Sequence, residues 1–426
     1  MTRVRRVPRA PHARGRAPQA RRAVLCALAL AASLGVPGHG PSAAAATPPD
    51  RPERAARQVV TWAASADRMG EAPADRSYRL VVRTSVGGSA LRVRVTNAFG
   101  DRPLEFGGAY AGRQQRGAEL TRGSNRRLTF GGARSLTLAP GESRYSDPLP
   151  GRVEAQGNVA VSLYVRNAGG PATGHGMALQ TSYATGGDHA AEEAAAAFTE
   201  QTGSWFYLDA VTVDPGNGVG AVAALGDSIT DGWQSSVDEN RRWPDYLARR
   251  LHHSPGSGVR GVANAGISGN KVLADGAGQS ALARLERDVL SQPGVRTVIL
   301  FEGINDIKSH SGVTAADLKD GYRKIIDRAH AAGLCVVGAT VLPYKGWYEW
   351  NPEEEAVRME VNAFIRTGGA VDAVADFDKV IRSPYDPQRM LPTFDGGDHL
   401  HPNDKGMQAM ADSLDLKALN CGRAGR

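Results

Sequence analysis

The sequence predicts an α/β domain preceded by an all-β domain, on three observations. Residues 58–215 contain many short apolar and β-branched runs separated by Gly, Asn, Asp and Pro. After residue 218, buried-strand patterns alternate with helical patterns, which is typical of a mostly parallel sheet with helices on both faces. Polar residues follow several of these later strands, where ligands bind in such sheets.

The first 46 residues have the three parts of a secretory signal peptide. Eight Arg residues lie within positions 3–22, an apolar run follows at 23–37, and small residues lead up to Ala46. The run falls short of the roughly 20 apolar residues of a membrane-spanning helix. We therefore expect cleavage near Ala46 and an extracellular protein without stable membrane insertion. Arg21 and Arg22 leave the Sec and twin-arginine routes both open, and residues 47–57 are predicted to be a linker.

Charge and cysteine content narrow the classes of function. The 426 residues carry a net charge of +7, and removal of the eight N-terminal Arg leaves −1, which disfavours a nucleic-acid partner. With Cys26 in the cleaved segment, Cys335 and Cys421 remain as an even pair in an oxidising compartment. Either they form a disulfide, or Cys335 is a buried strand residue and Cys421 a thiol in the tail at 419–426.

The predicted all-β domain, residues 58–215, reads as a β-sandwich, jelly-roll-like in its many short strands. Its strands are predicted at 78–84, 90–96, 127–130, 135–138, 158–165, 178–183 and 205–213. A Gly87-Gly88 turn between the first two predicts a hairpin. One helix is predicted at 190–199, where Ala and Glu dominate.

The predicted α/β domain spans residues 218–418. Buried strands are expected at 221–225, 296–301 and 334–342, and helices at 243–252, 281–290, 315–332 and 353–367. The last helix opens at Asn351-Pro352 and is followed by Gly368-Gly369, residue types that favour a helix start and a helix end.

Four polar blocks in this domain carry residue types suited to acyl transfer. They lie at 226–230, 264–270, 303–306 and 398–402. Nucleophilic acyl transfer needs a hydroxyl, a base to deprotonate it and an acceptor that fixes the tautomer of the base. Ser228, His401 and Asp398 provide these three groups. Asp227 and Asp306 flank the blocks and are expected to order their loops by local hydrogen bonds.

These blocks, in this order and spacing, resemble the SGNH hydrolases, the serine-esterase superfamily that includes the GDSL lipases. The resemblance covers roughly residues 218–418. It implies a three-layer α/β/α fold of flavodoxin-like type and no metal or organic cofactor. It also implies that Ser228 is the nucleophile, His401 the base and Asp398 the acid. Ile229 stands where the family usually has Leu, an apolar exchange that leaves the chemistry unchanged.

The resemblance further implies an oxyanion hole formed by the Ser228 and Gly269 backbone N–H groups and the Asn305 side chain. The alternative for the fourth block is a metal site, because His399, His401 and Asp398 are zinc-ligand types. No other set of ligands supports it, and the family spacing selects His401 over His399 as the base.

A secreted, monomeric serine ester hydrolase is the function that the sequence favours. Acetyl, phenolic or short-chain acyl esters, some on polysaccharides, are the expected substrates. Trp347, Tyr348 and Trp350 either line a substrate subsite or pack beneath the next helix. The alternatives are a lipase or phospholipase, and a polysaccharide-binding protein with a silent hydrolase domain. The β-sandwich either binds carbohydrate or shapes the cleft.

Overall fold

The computed structural model describes residues 58–420 except 168, 169, 217, 255 and 257. All of the described residues belong to one compact unit. None of the helices in this part of the chain has the length and apolar content to cross a membrane. The proposed signal peptide, the linker and Cys421 lie outside the described residues.

Residues up to Asp214 form antiparallel sheets. The strands are β1 Val59–Ala63, β2 Asp67–Glu71, β3 Arg76–Arg83, β4 Gly88–Thr96, β5 Leu104–Arg116, β6 Glu119–Leu120, β7 Arg126–Arg127, β8 Leu136–Leu138, β9 Ser143–Tyr145, β10 Leu149–Val153, β11 Asn158–Val165, β12 Pro171–His175, β13 Ser182–Gly186, β14 Glu200–Thr202, β15 Trp205–Phe206 and β16 Leu208–Asp214. One sheet has the order β1-β16-β4-β10, with β9 also on β4. A second has the order β14-β13-β3-β11-β5-β6, with β7 and β8 on β5, and β15-β12-β2 form a third. The two larger sheets contribute to one hydrophobic core, and the jelly-roll connectivity stays a prediction.

The predicted hairpin at Gly87-Gly88 is wrong. Strand β3 pairs with β11 and β13, whereas β4 pairs with β16, β10 and β9 in the other large sheet. The connection between them crosses from one sheet to the other. The Thr84 N–H still donates to the Gly157 carbonyl, next to β11, whereas the Ser85 N–H donates to the Thr61 carbonyl in β1 of the other sheet. The near-continuous burial of β3 fits a central strand better than one arm of a hairpin.

The predicted helix at 190–199 is also wrong, since this segment forms turns. The fully buried Arg79 side chain donates to the carbonyls of Ala118, Glu192 and Ala194. The Phe198 ring lies 3.9 Å from the Arg79 guanidinium carbon. These contacts satisfy carbonyl groups that a helix would have used internally, so a tertiary interaction overrides the local preference of Ala and Glu.

The remaining residues form an α/β region. Its elements are β17 Gly220–Gly226, α1 Ser228–Asp231, α2 Trp243–His252, β18 Val259–Gly266, α3 Ala281–Leu285, β19 Val295–Phe301, α4 Ile304–Ile307, α5 Ala315–Ala331, β20 Cys335–Ala339, α6 Pro352–Thr367, β21 Ala373–Ala375, α7 Phe377–Ile381 and α8 Asp404–Ser413. A π-helical turn, Glu286–Leu290, extends α3, and a 3₁₀ turn, Ala418–Asn420, follows α8.

The sheet of this region is parallel, with the order β18-β17-β19-β20-β21. This is the order of flavodoxin-like sheets, in which ligands bind beyond the carboxyl ends of the strands where the order reverses, here at β17. Alternate strand residues face two helical layers. Val222 and Ile299 pack with α2, α7 and α8, whereas Ala223 and Val298 share a core with α3 and α5. The sheet is therefore the middle of three layers.

The β-rich and α/β regions meet along strands β1 and β18. The Val60 N–H donates to the Pro293 carbonyl at 2.8 Å, and the Val262 N–H donates to the Ser85 Oγ at 2.9 Å. A Cβ at Gly261 would lie 2.3 Å from the Val60 carbonyl oxygen, so this approach requires glycine. The core that contains the two large antiparallel sheets continues into the α/β region.

Candidate active site

Ser228 lies at the first position of α1, directly after strand β17. Asp227 caps this helix, because its carboxylate accepts from the Ile229 N–H at 2.9 Å. The strand turns sharply into the helix at Gly226, where a Cβ would lie 2.0 Å from the Thr230 Oγ1. Backbone N–H groups in the first turn of a helix have no intrahelical acceptor, so the Ser228 N–H is available to an anion.

Ser228, His401 and Asp398 form one hydrogen-bonded chain. Ser228 Oγ lies 2.8 Å from His401 Nε2, and His401 Nδ1 lies 2.7 Å from Asp398 Oδ2. Asp398 Oδ1 also accepts from the backbone N–H groups of Leu400 and His401. Because an ionised carboxylate only accepts, Nδ1 carries the proton and Nε2 faces the serine hydroxyl as an acceptor.

The loop holds Asp398 in its ionised form. Partial burial raises the pKa of Asp398, but the hydrogen bonds from His401 and Leu400 outweigh it and hold the pKa well below its usual range. His399 faces away, with Nδ1 2.5 Å from Asp395 Oδ2 and its ring against Gly346. No cluster of three or more metal-ligating side chains occurs among the residues that the structure describes.

The predicted oxyanion-hole residues follow the two strands beside β17. Asn305 lies in α4 after β19, is 6% exposed, and donates from Nδ2 to the Asn270 carbonyl at 2.9 Å. Gly269 follows β18 with φ +81°, and a Cβ there would lie 2.9 Å from that of Ala277. Within the described ranges the Gly269 N–H has no backbone or side-chain acceptor. This N–H and the second Asn305 amide proton have no protein acceptor in the part of the chain that the structure describes.

Three buried acids lie beneath the site. Burial raises the pKa of Asp227 to about 6 and that of Glu302 well above its usual range. The charge of Asp306 raises the pKa of both groups further, and the charge of Asp227 also raises that of Glu302. Burial also raises the pKa of Asp306, although the Val272 and Leu273 N–H groups donate to it at 2.8 and 3.0 Å. The local hydrogen bond predicted for Asp227 is present, whereas Asp306 accepts from N–H groups 34 and 33 residues earlier in the chain and so orders a loop other than its own.

Arg284, which the sequence analysis missed, is fully buried and ties the strand ends together. It donates to the Gly226 carbonyl at 3.0 Å, the Ala265 carbonyl at 2.7 Å and Asn270 Oδ1 at 2.9 Å. It is also paired with the buried carboxylates of Asp288 and Glu302. The available signal was an Arg and an Asp four residues apart on the apolar face of a predicted helix.

Two aromatic rings lie close to His401. The Trp347 ring centroid lies 6.1 Å from that of His401, and Trp233, which the sequence analysis missed, lies 6.2 Å away. Tyr348 is 81% exposed and lies 4.7 Å from Trp347, whereas the partly buried Trp350 lies beneath Lys345. Trp347 and Tyr348 are thus placed beside the site, and Trp350 packs against the core.

Comparison with known proteins finds a matching sequence family and similar solved structures. Residues 224–409 match the sequence model of the GDSL-like lipase/acylhydrolase family. Similar solved structures include the aryl esterase of Mycobacterium smegmatis, with 17% identity and a TM-score of 0.39 over 48% of this chain and 99% of that one. A carbohydrate acetylesterase from Sinorhizobium meliloti has 20% identity and a TM-score of 0.36 over 45% and 94%. No match was found among curated protein sequences.

The matched residues contain all four polar blocks as far as His401, and they begin inside the strand that precedes Ser228. The α/β region therefore belongs to the GDSL/SGNH hydrolase superfamily, and the protein is a carboxylic ester hydrolase.

Proposed function

We propose that the protein hydrolyses esters through an acyl-enzyme formed on Ser228, with His401 and Asp398 completing a catalytic triad. The observation that carries this proposal is the hydrogen-bonded chain Ser228–His401–Asp398, with heavy-atom distances of 2.8 and 2.7 Å. The same contacts disfavour the alternative of a silent hydrolase domain.

The chain accounts for each proton transfer. His401 Nε2 takes the proton of Ser228 as Oγ attacks the ester carbonyl carbon, and then gives it to the leaving alcohol as the carbonyl re-forms. Water deprotonated by the same nitrogen releases the acid and restores Ser228. Asp398 fixes the tautomer of His401 and stabilises the imidazolium that forms in each half-reaction.

We infer that three donors stabilise the negative charge that develops on the carbonyl oxygen. They are the N–H groups of Ser228 and Gly269 and the Asn305 Nδ2. Such fixed donors stabilise the transition state more than the ground state, because the charge develops only on attack. This is the second element of the proposed mechanism.

The exposed Trp233 and the partly buried Trp347 beside His401 favour substrates with a ring near the scissile bond. Trp233 is 47% exposed and lies on one side of His401, with Trp347 as a second ring neighbour. Aromatic faces suit both phenolic groups and sugar rings, so we infer acetyl, phenolic or other short acyl esters, including those on polysaccharides.

Trp347→Ala is expected to raise KM for phenyl acetate by about 10-fold, with Trp347→Phe closer to wild type. An equal rise for methyl acetate would contradict a ring subsite.

The test of the triad is hydrolysis of p-nitrophenyl acetate with a chelator present. Wild type should turn over, and Ser228→Ala should lose about 10⁴-fold or more in kcat. Ser235→Ala is the matched control, since both serines are 7% exposed and the Ser235 hydroxyl has no hydrogen-bond partner within the described residues. Retained activity in Ser228→Ala would exclude the proposed nucleophile. An activity maximum on long-chain esters would favour the lipase alternative.

We also propose that the protein is exported, with residues 1–46 removed. The support is the order of Arg-rich, apolar and small-residue segments. N-terminal sequencing of protein from the culture medium should begin at or near Thr47. A chain that retains Met1 and stays with the cells would contradict export.

A further inference from the structure

Two buried side chains of the β-rich region reach the loops that carry the oxyanion-hole donors. Ser65 follows strand β1 and is 2% exposed, and His175 ends strand β12 and is 6% exposed. Neither belongs to the four polar blocks, and neither touches the proposed triad. Their hydrogen bonds lead into the α/β region by two separate routes.

His175 has an acceptor at each ring nitrogen. Its Nδ1 lies 2.9 Å from the Ser65 carbonyl oxygen, and its Nε2 lies 2.9 Å from Asp231 Oδ1 and 3.1 Å from the Met177 carbonyl oxygen. Carbonyl and carboxylate oxygens accept but do not donate, so both ring nitrogens must carry protons. His175 is therefore a buried imidazolium paired with Asp231.

The other oxygen of Asp231 holds the loop that contains Gly269. Asp231 Oδ2 accepts from the Ser268 N–H at 2.9 Å and from the Ser268 hydroxyl at 2.8 Å. Asp231 is itself the last residue of α1, the helix that begins at Ser228. One buried carboxylate thus connects His175, the nucleophile helix and the residue before Gly269.

Ser65 supplies the second route through its hydroxyl. Ser65 Oγ accepts from Arg284 Nη1 at 3.0 Å, and Arg284 Nε donates to Asn270 Oδ1 at 2.9 Å. The Asn270 carbonyl in turn accepts from Asn305 Nδ2 at 2.9 Å. The backbone of Ser65 anchors His175 and its hydroxyl anchors Arg284, so both routes start from the same residue.

We propose that the β-rich region positions the oxyanion hole, with His175 acting through Asp231 on Ser268–Gly269 and Ser65 acting through Arg284 on Asn270–Asn305. The proposal rests on the proposed esterase function. Both are positioning residues and touch no substrate. The positive charge of His175 also compensates the buried Asp231 carboxylate, which would otherwise oppose the negative charge of the transition state.

The protonation of His175 is set by its own acceptors, and other charged groups lie around the pair. Burial lowers the pKa of His175, but Asp231 and the two carbonyl acceptors raise it more, so the net pKa lies above the ordinary value. The remaining charged side chains that face the pair line the adjoining cavity or lie behind Ser65: Arg83, Arg242, Asp245, Arg284 and Asp288.

The first test measures kcat and KM for p-nitrophenyl acetate per active site titrated with a fluorophosphonate. This normalisation removes any loss that comes from unfolded protein. His175→Gln should lower kcat by about 10–100-fold with little change in KM, as expected for a lost buried charged contact that acts in the transition state. Ser65→Ala, which removes only the hydroxyl, should lower kcat by about 10-fold.

His189→Gln is the matched control, because His189 belongs to the β-rich region and pairs with Glu192 on the surface. It should keep the wild-type kcat. Asp231→Asn added to His175→Gln removes the uncompensated carboxylate while its amide oxygen still accepts from Ser268. This double variant should recover part of the lost kcat, whereas additive losses would overturn the charge argument.

A second readout does not depend on activity. Nitrogen-15 NMR of the His175 ring at neutral pH should show both nitrogens protonated, and a neutral ring would overturn the imidazolium assignment. The kinetic outcomes separate the two proposals. If the wild type shows no turnover, the esterase function is contradicted. If the wild type is active and His175→Gln keeps its kcat per titrated site, only the positioning role of the β-rich region is contradicted.

Discussion

Asn305 combines a position after a strand, near-complete burial and a hydrogen bond to a neighbouring loop. It follows strand β19, is almost fully buried, and uses one amide proton on the Asn270 carbonyl, which leaves the other for substrate. Its residue type and its position after a strand were predictable, because parallel strands bring their carboxyl ends to one edge. Its partner Asn270 and the Arg284 behind it were not, because those contacts join residues that only the tertiary fold brings together.

Asn305→Ala is expected to lower kcat by about 10²–10³, because one donor to the oxyanion is lost. KM should change little, since the ground-state carbonyl carries little charge. Steady-state kinetics per titrated site measures both. Asn158→Ala, which removes a partly buried side-chain amide that donates to Gln114 Oε1, is the control for the loss of an amide. A variant that turns over normally would show that Asn305 is not aimed at the oxyanion.

Asp227→Asn is expected to stabilise the protein at neutral pH. The folded-state pKa of Asp227 is raised to about 6 from 3.8, so the folded state binds more protons than the unfolded state between these values. The free energy of unfolding therefore falls as the pH rises from 3.8 to about 6, and the total loss at higher pH is up to about 3 kcal/mol. The Asn oxygen still accepts from the Ile229 N–H.

Urea unfolding at pH 7.5 and at pH 4.5 checks this prediction. The gain from Asp227→Asn in the free energy of unfolding should be largest at the higher pH and should shrink at the lower one. A gain that is equal at both pH values would show that the charge of Asp227 is not the cause.

Helix α8 is the element that follows the proposed catalytic base, His401. Asn403 caps it by accepting from the Lys405 and Gly406 N–H groups, and donates to the Thr393 and Asp395 carbonyls. The cap therefore joins the helix start to the loop that contains His401. The Pro402-Asn403 pair was visible in the sequence, but the loop carbonyls it binds were not.

Asn403→Ala is expected to lower the free energy of unfolding by about 1–2 kcal/mol, the usual cost of a lost N-cap. It should also lower kcat, because the loop that carries His401 loses two of its hydrogen bonds. Thermal unfolding and kinetics measure the two effects. Asn351→Ala, which removes the cap of α6, should lower stability alone. Equal kinetic losses in both variants would contradict a specific role for the α8 cap.

Elements with a strong period were predictable, and elements fixed by distant contacts were not. Helix α2 and strand β11 lie where their patterns place them. In the turns at 190–199, carbonyl groups accept hydrogen bonds from Arg79, which lies more than 100 residues away in the chain. Strand β18 was not predicted, because its sequence VRGVANAG has few β-branched residues and two glycines.

The whole molecule is expected to unfold as one cooperative unit, because a single core runs from the antiparallel sheets into the α/β region. Leu163→Ala, in the fully buried part of β11, should cost about 3 kcal/mol. The helices of the described residues all lie in the α/β region. The urea unfolding transition followed by the far-UV circular dichroism of these helices should therefore move to lower urea in Leu163→Ala.

Val237→Ala, at a side chain that is 56% exposed, is the control and should leave the transition unchanged. If the helical signal of Leu163→Ala unfolds as in wild type, the two regions unfold independently. In that case the shared core does not couple them.

The proposed site is assembled from parts of the chain that are far apart in sequence. Ser228 and His401 are 173 residues apart, and Ser65 and Arg284 are 219 apart. Contacts of this kind close large loops, and chains rich in them fold slowly. The nucleophile, its base and the supports of the oxyanion hole are therefore expected to come together only as the whole fold closes. A newly made chain is then expected to be protected from premature acylation until it has folded.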